Sequence, residues 1–362
     1  MKKTTAYLTI LLTVLLCGCN STNDENGTEP DEFSVKDLLS EVTSNTIIPT
    51  IEGFNMAAKS FNGLVDTYIN DPSESNLTAL RNQWVQTTLA YESTYNFHIG
   101  VARSRFLHQA IYNWPTVSNA IEDFIANNEV TEETVAPISP QIKSISGMEY
   151  LLFKSDIATT NQEFVDNVKR RDYLKYSSDF LVDQADRLLG IWAEDGEDYG
   201  TTFINSTATG LDNSFNLFFN GLYNAVDTGK VTKIGKPGGL ENSPNPNPEI
   251  VQAPYSNISL ELLEVSITTT EKAFFSEGQT DISDYIFFVA KDNVLNNELQ
   301  EAFTEVKQAI QAVSGTLEMA VIDNPTSVEN LHTSLTKLNV LLAADVRSIL
   351  SIVLTSTDND GD

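Results

Sequence analysis

Apolar residues recur along most of this chain at the three- and four-residue spacing of an α-helix. One stripe steps by alternating intervals of four and three residues and consists of Ile47, Ile51, Phe54, Ala58, Phe61, Val65 and Tyr68. Such a stripe forms one face of a long helix. Pro49 should start or kink this helix, because proline has no amide hydrogen to donate. Asp71-Pro72-Ser73 marks its end.

Comparable stripes predict four further helical regions. They are Leu77, Leu80, Trp84, Tyr91 and Tyr95; Leu174, Leu181, Ala185, Leu188 and Trp192; Val306, Ile310, Val313 and Leu317; and Leu331, Leu335, Leu338, Leu342 and Val346. Asn324-Pro325-Thr326 is a start signal for the last of them. Alternating strand patterns joined by hairpin turns are absent from the sequence. We therefore predict an all-α fold.

Two breaks in these patterns suggest a division into domains. The first is the acidic, glycine-punctuated segment 194–200, and the second is the proline-rich segment 235–256, which we interpret as a long loop. We predict two helical-bundle domains, resembling four-helix bundles and packed side by side, over residues 35–196 and 197–362.

The N-terminus predicts export and lipid anchoring. Two lysines precede an apolar run of about eleven residues, which is too short to span a bilayer and is typical of a secretory signal. The run ends in Leu16-Cys17-Gly18-Cys19, which resembles a bacterial lipoprotein box. We predict that residues 1–18 are removed, that Cys19 carries the lipid, and that residues 19–34 form an acidic flexible tether. The protein would then be anchored to the outer membrane, on its periplasmic face or at the cell surface.

Charge and cysteine content exclude several functions. The 362 residues carry 50 acids and 22 bases, a net charge of −28, so a nucleic-acid partner is not expected. Cys17 leaves with the signal and Cys19 is acylated. No thiol then remains for a catalytic nucleophile or a thiolate metal site.

Familiar catalytic motifs are missing from the sequence. It contains no His-Glu-x-x-His and no Gly-x-Ser-x-Gly. Segment 235–239 is rich in glycine, but Pro237 removes an amide donor, so we interpret it as a loop and not as a phosphate cradle. His98, His108 and His332 are not spaced to share one helix face as metal ligands. The basic residues of segment 169–175 form a solvated helix face or hold an anion or an acidic helix.

Several segments in order resemble the imelysin family of secreted and lipid-anchored bacterial proteins. They are Trp84, Tyr91–Gly100, Ile111–Pro115, Arg170–Leu174, Lys233–Pro237, Tyr255–Ser256, Ser259, Leu338–Leu354 and Asp358–Asp362. The resemblance covers about residues 36–362. It implies two bundle-like helical domains with a site near their interface. The family includes proteins described as peptidases and others tied to iron uptake.

The motif that carries function in that family, Gly-x-His-x-x-Glu, is incomplete in this chain. The matching stretch is 144–149, where Glu149 takes the glutamate position, Ser146 replaces the histidine and Ser144 replaces the glycine. In a helix, residues three apart share a face, so an imidazole and a carboxylate could converge on one cation. A serine hydroxyl is a poor ligand for zinc or iron and a poor general base.

The resemblance leads to a set of candidate site residues. For ligand binding we expect Ser144, Ser146, Glu149, Trp114 and Arg171, and no residue is predicted to be catalytic. Glu149 is the candidate metal ligand. His98 is a second one, if the fold brings it to Glu149.

Three functions remain open. The first is a non-catalytic envelope protein, linked to iron uptake, that binds a divalent or ferric cation or a small ligand between its bundles. The second is a metallopeptidase of the imelysin type, which needs a metal, a polarised water and a general base. The third is a surface lipoprotein that binds an envelope protein and whose metal site is lost.

Overall fold

The computed structural model of the chain describes residues 32–208, 210 and 213–355. The predicted signal, Cys19, most of the tether and the acidic segment 358–362 lie outside the described residues. Within the described ranges, the regular elements are helices and there is no strand. The all-helical fold class is confirmed.

The first part of the chain contains three long helices and a series of short ones. The α-helices are α1 (Val35–Val42), α2 (Ile48–Asn70), α3 (Glu74–Thr94), α4 (Gly100–Ser104), α5 (Leu107–Ile111), α6 (Ser118–Asn127), α7 (Glu132–Val135), α8 (Pro140–Lys143), α9 (Ile145–Phe153), α10 (Ile157–Asp166) and α11 (Val168–Trp192). A π-helical turn, Thr43–Ile47, joins α1 to α2, and a 3-10 turn, Tyr95–Phe97, follows α3. Helix α2 packs against both α3 and α11.

The second part is also helical. Its α-helices are α12 (Tyr199–Asn205), α13 (Ser214–Thr228), α14 (Lys236–Gly238), α15 (Ser259–Phe274), α16 (Ile282–Ala290), α17 (Val294–Ala312), α18 (Leu317–Asp323), α19 (Pro325–Val340) and α20 (Arg347–Ile349). Two π-helical segments, Gly229–Gly235 and Leu341–Val346, extend α13 and α19, and Pro248–Ile250 is a 3-10 turn.

The predicted stripes are the buried faces of these helices. All seven residues of the first stripe are fully buried, and so are those of the α11 stripe. Pro49 is the second residue of α2, which directly follows the π-helical turn Thr43–Ile47, so the missing amide falls where the helix changes its hydrogen-bonding pattern. Ser73 caps α3, with its side chain accepting the amide of Asn76. Each buried aliphatic or aromatic side chain contributes about 1.5–3 kcal/mol.

One expectation from periodicity was wrong in detail. The stripe that includes Val313 and Leu317 does not lie on one helix, because α17 ends at Ala312 and Gly315 adopts a positive φ of 80°. Leu317 opens α18 and is buried there.

The proline-rich segment is not a loop from its first residue. Residues 229–235 are π-helical and 236–238 are α-helical, so the loop begins at Gly239. Gly239 has a φ of 68°, and a Cβ there would lie 2.8 Å from the Asn245 carbonyl carbon. Only glycine combines this conformation with so close a backbone approach.

The described residues from Ser34 onward form one compact unit. Helix α3 of the first half packs against α15 of the second, so the two halves share an interface. The boundary predicted at 196–197 falls between α11 and α12. The division into two bundle domains stays a prediction. Among the described helices, none combines the length and the apolar composition that crossing a bilayer would require.

Candidate functional site

Glu149 lies at the contact between the two halves of the chain. It is on α9 and is only 1 % exposed. Its Oε1 atom accepts hydrogen bonds from the backbone amides of Tyr255, at 2.9 Å, and Ser256, at 2.8 Å. The Ser256 hydroxyl donates a third bond to the same oxygen at 2.8 Å. The carboxylate therefore joins α9 to the segment that leads into α15.

Burial dominates the acidity of this carboxyl group. It raises the pKa of Glu149 to about 7, against the opposing effect of the hydrogen bonds from Ser256 and Tyr255. The negative charge of Glu318, at the start of α18, raises the pKa further. Burial also raises the pKa of Glu318 itself. Two carboxyl groups with raised pKa values thus lie near each other, a pattern common at functional sites.

The two serines of the incomplete motif bind a neighbouring turn. Ser146 Oγ donates to the Asn113 carbonyl at 2.6 Å, and the Asn113 amide donates to Ser144 Oγ at 3.3 Å. The two hydroxyl oxygens are 3.2 Å apart. Asn113 precedes the cis peptide bond between Trp114 and Pro115. The hydroxyls therefore hold the Asn-Trp-Pro turn against the start of α9.

Gly147 sets the position of α9 within the first half. A Cβ atom there would overlap the carbonyl group of Ile142 on α8. The same carbonyl accepts the Tyr173 hydroxyl of α11 at 2.6 Å. Only a glycine lets α9 approach α8 this closely, and Glu149 two residues later is carried with it.

His98 has its contacts elsewhere. It is buried, its Nε2 atom lies 3.3 Å from Thr94 Oγ1, and its ring packs against Tyr91 and His108. Burial lowers the pKa of His98 well below its usual value, and the nearby His108 and Arg103 lower it further. These contacts hold the imidazole in its neutral form beside α3.

Arg171 also makes a structural contact. Its guanidinium donates to the carbonyls of Phe164 and Val165, at the C-terminal end of α10. Its neighbour Arg170 is buried and pairs with Glu122 at 2.6 Å and with Glu163 at 3.2 Å. The basic segment therefore binds neighbouring acidic residues and helix carbonyls.

The donor set around Glu149 does not fit a metal centre. Zinc or iron needs several imidazole, carboxylate or thiolate ligands, whereas the motif offers one carboxylate and two hydroxyls that already bond to backbone groups. No group of three or more His, Cys, Asp or Glu side chains within the described ranges is arranged to hold a metal ion.

A second buried polar contact, not singled out from the sequence, joins the halves beside Glu149. Lys233, in the π-helical segment after α13, forms an ion pair with Glu92 of α3, and both side chains are almost completely buried. Gln252 donates from Nε2 to the other Glu92 oxygen at 3.2 Å. Glu92 and Lys233 fall inside segments that resemble the imelysin family. This resemblance is the signal by which the sequence could have identified them.

Tyr112 connects this region to an open cleft. Its phenol is buried, and burial raises its pKa well above the usual value, with further contributions from the charges of Glu149 and Glu92. The phenol therefore stays protonated. Its ring packs against Trp114 with centroids 5.6 Å apart.

Tyr112 and Trp114 line the cleft, which we call the interface cleft. It encloses about 300 Å³ between the two halves and is lined by Tyr95, His108, Gln109, Tyr112, Asn113, Trp114, Thr228, Thr232 and Lys236. Of the predicted ligand-binding residues, the structure places Trp114 in this cleft. Ser144, Ser146 and Glu149 lie in the buried contacts described above.

Comparison with known proteins supports the resemblance seen in the sequence. The chain is similar in fold to an imelysin-like protein from Psychrobacter arcticum 273-4, with a TM-score of 0.74, 19 % identity, and coverage of 90 % of this chain and 99 % of that one. It is similarly close to an iron-regulated protein A precursor from Parabacteroides distasonis ATCC 8503, with a TM-score of 0.75, 19 % identity, and coverage of 90 % and 97 %.

A search of curated proteins finds no match for this chain. The family model described as Imelysin matches residues 47–344, which is most of the sequence. The chain therefore belongs to the imelysin family.

Proposed function

We propose that this protein is a lipid-anchored, non-catalytic binding protein of the cell envelope that holds a small ligand in the interface cleft. One observation carries the proposal. The cleft takes its walls from both halves of the chain, and the Ser146–Asn113 hydrogen bond ties it to the motif helix α9. Small-ligand sites commonly occupy such concave interfaces, where a few polar groups converge on an apolar wall.

The contacts of the motif argue against peptide hydrolysis. A metallopeptidase needs a metal with an open coordination position and a base that can take a proton from the bound water. Glu149 has the pKa of a usable base, but its Oε1 atom already accepts three hydrogen bonds inside the protein. Ser146 supplies a hydroxyl where the family has an imidazole.

The anchoring part of the proposal comes from the N-terminal sequence. Leu16-Cys17-Gly18-Cys19 is suited to lipid attachment at Cys19 after removal of residues 1–18. A link to iron uptake is supported by the family and by the name of the Parabacteroides distasonis protein. The proposal is that the lipid on Cys19 anchors the protein to the outer membrane.

The test is ligand-induced thermal stabilisation of the full-length chain in detergent. The panel contains neutral sugars, amino acids, organic acids and ferric citrate, and a ligand specific to the folded state raises its stability. We expect at least one compound to stabilise the wild type and the control Phe287→Ala, an exposed aromatic on α16, but not Trp114→Ala. Equal stabilisation of all three proteins would place binding outside the cleft and refute the proposal.

A second arm tests the absence of catalysis. The wild-type chain is incubated with casein and with zinc or iron, with and without chelator. We expect no cleavage above that of a heat-unfolded sample. Cleavage that chelator stops and that Glu149→Gln abolishes would establish the metallopeptidase alternative instead.

A further inference from the structure

The interface cleft has an unusual charge for this protein. The chain as a whole carries −28, yet none of the described residues that line the cleft is acidic, and Lys236 is among them. Glu241, the acid nearest to Lys236 in sequence, is already bound to Lys230 at 3.2 Å and to His332 at 3.0 Å. Lys236 itself forms no ion pair with any described residue, so its ammonium group is available to a negatively charged ligand.

His108 also lines the cleft and adds no charge to it. His108 is buried, and its Nδ1 atom has no hydrogen-bond partner in the described part of the chain. Burial, together with the positive charge of Arg103, lowers the pKa of His108 to about 3, so the ring is neutral.

Aromatic side chains also line the cleft. Trp114 is half-buried beside Tyr112, and Tyr95 completes this surface. Flat aromatic faces favour stacking with another planar group. The volume of about 300 Å³ is at the lower end for ligand pockets, so the ligand should be small.

Resting on the proposed function, we infer that the interface cleft selects a small planar organic anion. Its carboxylate or equivalent acidic group binds Lys236, and its ring or conjugated plane lies against Trp114. A neutral sugar would leave Lys236 and its charge without a counterpart, and a free metal cation would find no acidic group among the described lining residues.

The experiment compares two probes of nearly identical shape, 4-hydroxybenzoate and its neutral amide 4-hydroxybenzamide. Binding to the full-length chain in detergent is measured by calorimetry. We expect the acid to bind at least tenfold more tightly than the amide, with the ratio falling as salt is added, because screening weakens a partly exposed charge pair. Lys236→Met should bring the ratio close to one, and Trp114→Ala should weaken both probes.

The matched control is Lys230→Met. Lys230 lies in the π-helical segment that directly precedes Lys236, but it pairs with Glu241 and does not line the cleft. This variant should keep the acid-to-amide ratio of the wild type. Thermal unfolding of each variant verifies that it is folded.

The outcomes separate the inference from the function on which it depends. Equal binding of acid and amide, or a ratio that survives Lys236→Met, overturns selection for an anion while leaving the cleft as a ligand site. Failure of both probes also overturns the inference. The panel with Trp114→Ala and Phe287→Ala then decides independently whether the cleft binds any small molecule.

Discussion

The Glu149 carboxylate accepts the backbone amide of Ser256 at 2.8 Å, across 107 residues of chain. The contact fixes the segment before α15 against the motif helix α9. Two residues in that segment, Ala253 and Asn257, have positive φ values of 55° and 62°. Non-glycine residues adopt this conformation at a cost of about 1–3 kcal/mol each when the surrounding structure imposes it. The hydrogen bonds from Tyr255 and Ser256 to Glu149 are part of the structure that imposes this conformation.

Stability should depend on pH through Glu149. Its pKa is about 7 in the folded protein, against 4.5 for an unperturbed glutamate. The folded state therefore holds the extra proton between these values, and the free energy of unfolding falls as pH rises through this window. The full effect is about 3 kcal/mol at 1.36 kcal/mol per pKa unit. Urea unfolding of wild type and Glu149→Gln at pH 5 and pH 8 measures it.

Glu149→Gln removes this titration, so the variant should lose less stability than wild type between the two pH values. Other acids titrate in both proteins, and the difference between their pH slopes isolates Glu149. An unchanged slope in Glu149→Gln would show that this carboxyl group does not titrate near neutrality.

Loss of the Ser256 hydroxyl should destabilise the ionised form of the contact. At pH 8, Ser256→Ala removes one of the three donors to Glu149 Oε1, and a hydrogen bond to a charged group contributes about 1.5–3 kcal/mol. The control is Ser334→Ala, whose exposed hydroxyl bonds only to Asn330 within its own helix. Equal unfolding free energies for the two variants would contradict a special role for Ser256.

The buried ion pair between Glu92 and Lys233 should be costly to break from one side. Lys233→Met leaves Glu92 buried with one amide donor from Gln252, and we expect a loss of about 3–5 kcal/mol of stability. Adding Glu92→Leu should recover a large part of it, because no unpaired charge then remains.

The exposed pair of Lys337 and Glu305 serves as the comparison for this cycle. Lys337→Met should leave the unfolding midpoint in urea unchanged, because water solvates both charges when they part. If Lys233→Met also left the unfolding midpoint unchanged, the ion pair between Glu92 and Lys233 would not hold the two halves together.

Ser146→Ala should loosen the turn that carries Trp114. The variant removes the 2.6 Å bond to the Asn113 carbonyl, at a cost of about 1–2 kcal/mol. Trp84 and Trp192 are completely buried and Trp114 is half-buried, so acrylamide quenching of fluorescence reports mainly on Trp114. Quenching should increase in Ser146→Ala and stay unchanged in Ser93→Ala, whose hydroxyl bonds within α3. An identical change in quenching in both variants would show that the Ser146 hydroxyl does not hold the turn that carries Trp114.

The helices were predictable from the chain because burial of one face imposes a spacing on neighbouring residues. The stripe from Ile47 to Tyr68 contains enough turns for that spacing to be unambiguous, and every member is buried. The ends of the helices are harder to predict from apolar spacing. The spacing of Val306, Ile310 and Leu317 continues through a break at Gly315, because Leu317 is buried from a different helix.

The motif residues could be located by resemblance, but their contacts could not. Glu149, Ser146 and Ser144 were identified in one short stretch. What each of them bonds to depends on Ser256 and Asn113, which are distant in the chain. The same is true of Lys233, which pairs with a glutamate 141 residues away. Apolar periodicity records which side of a helix is buried, because that depends on neighbours one turn away. It does not indicate which distant polar group contacts a buried carboxylate, because that depends on how the two halves pack.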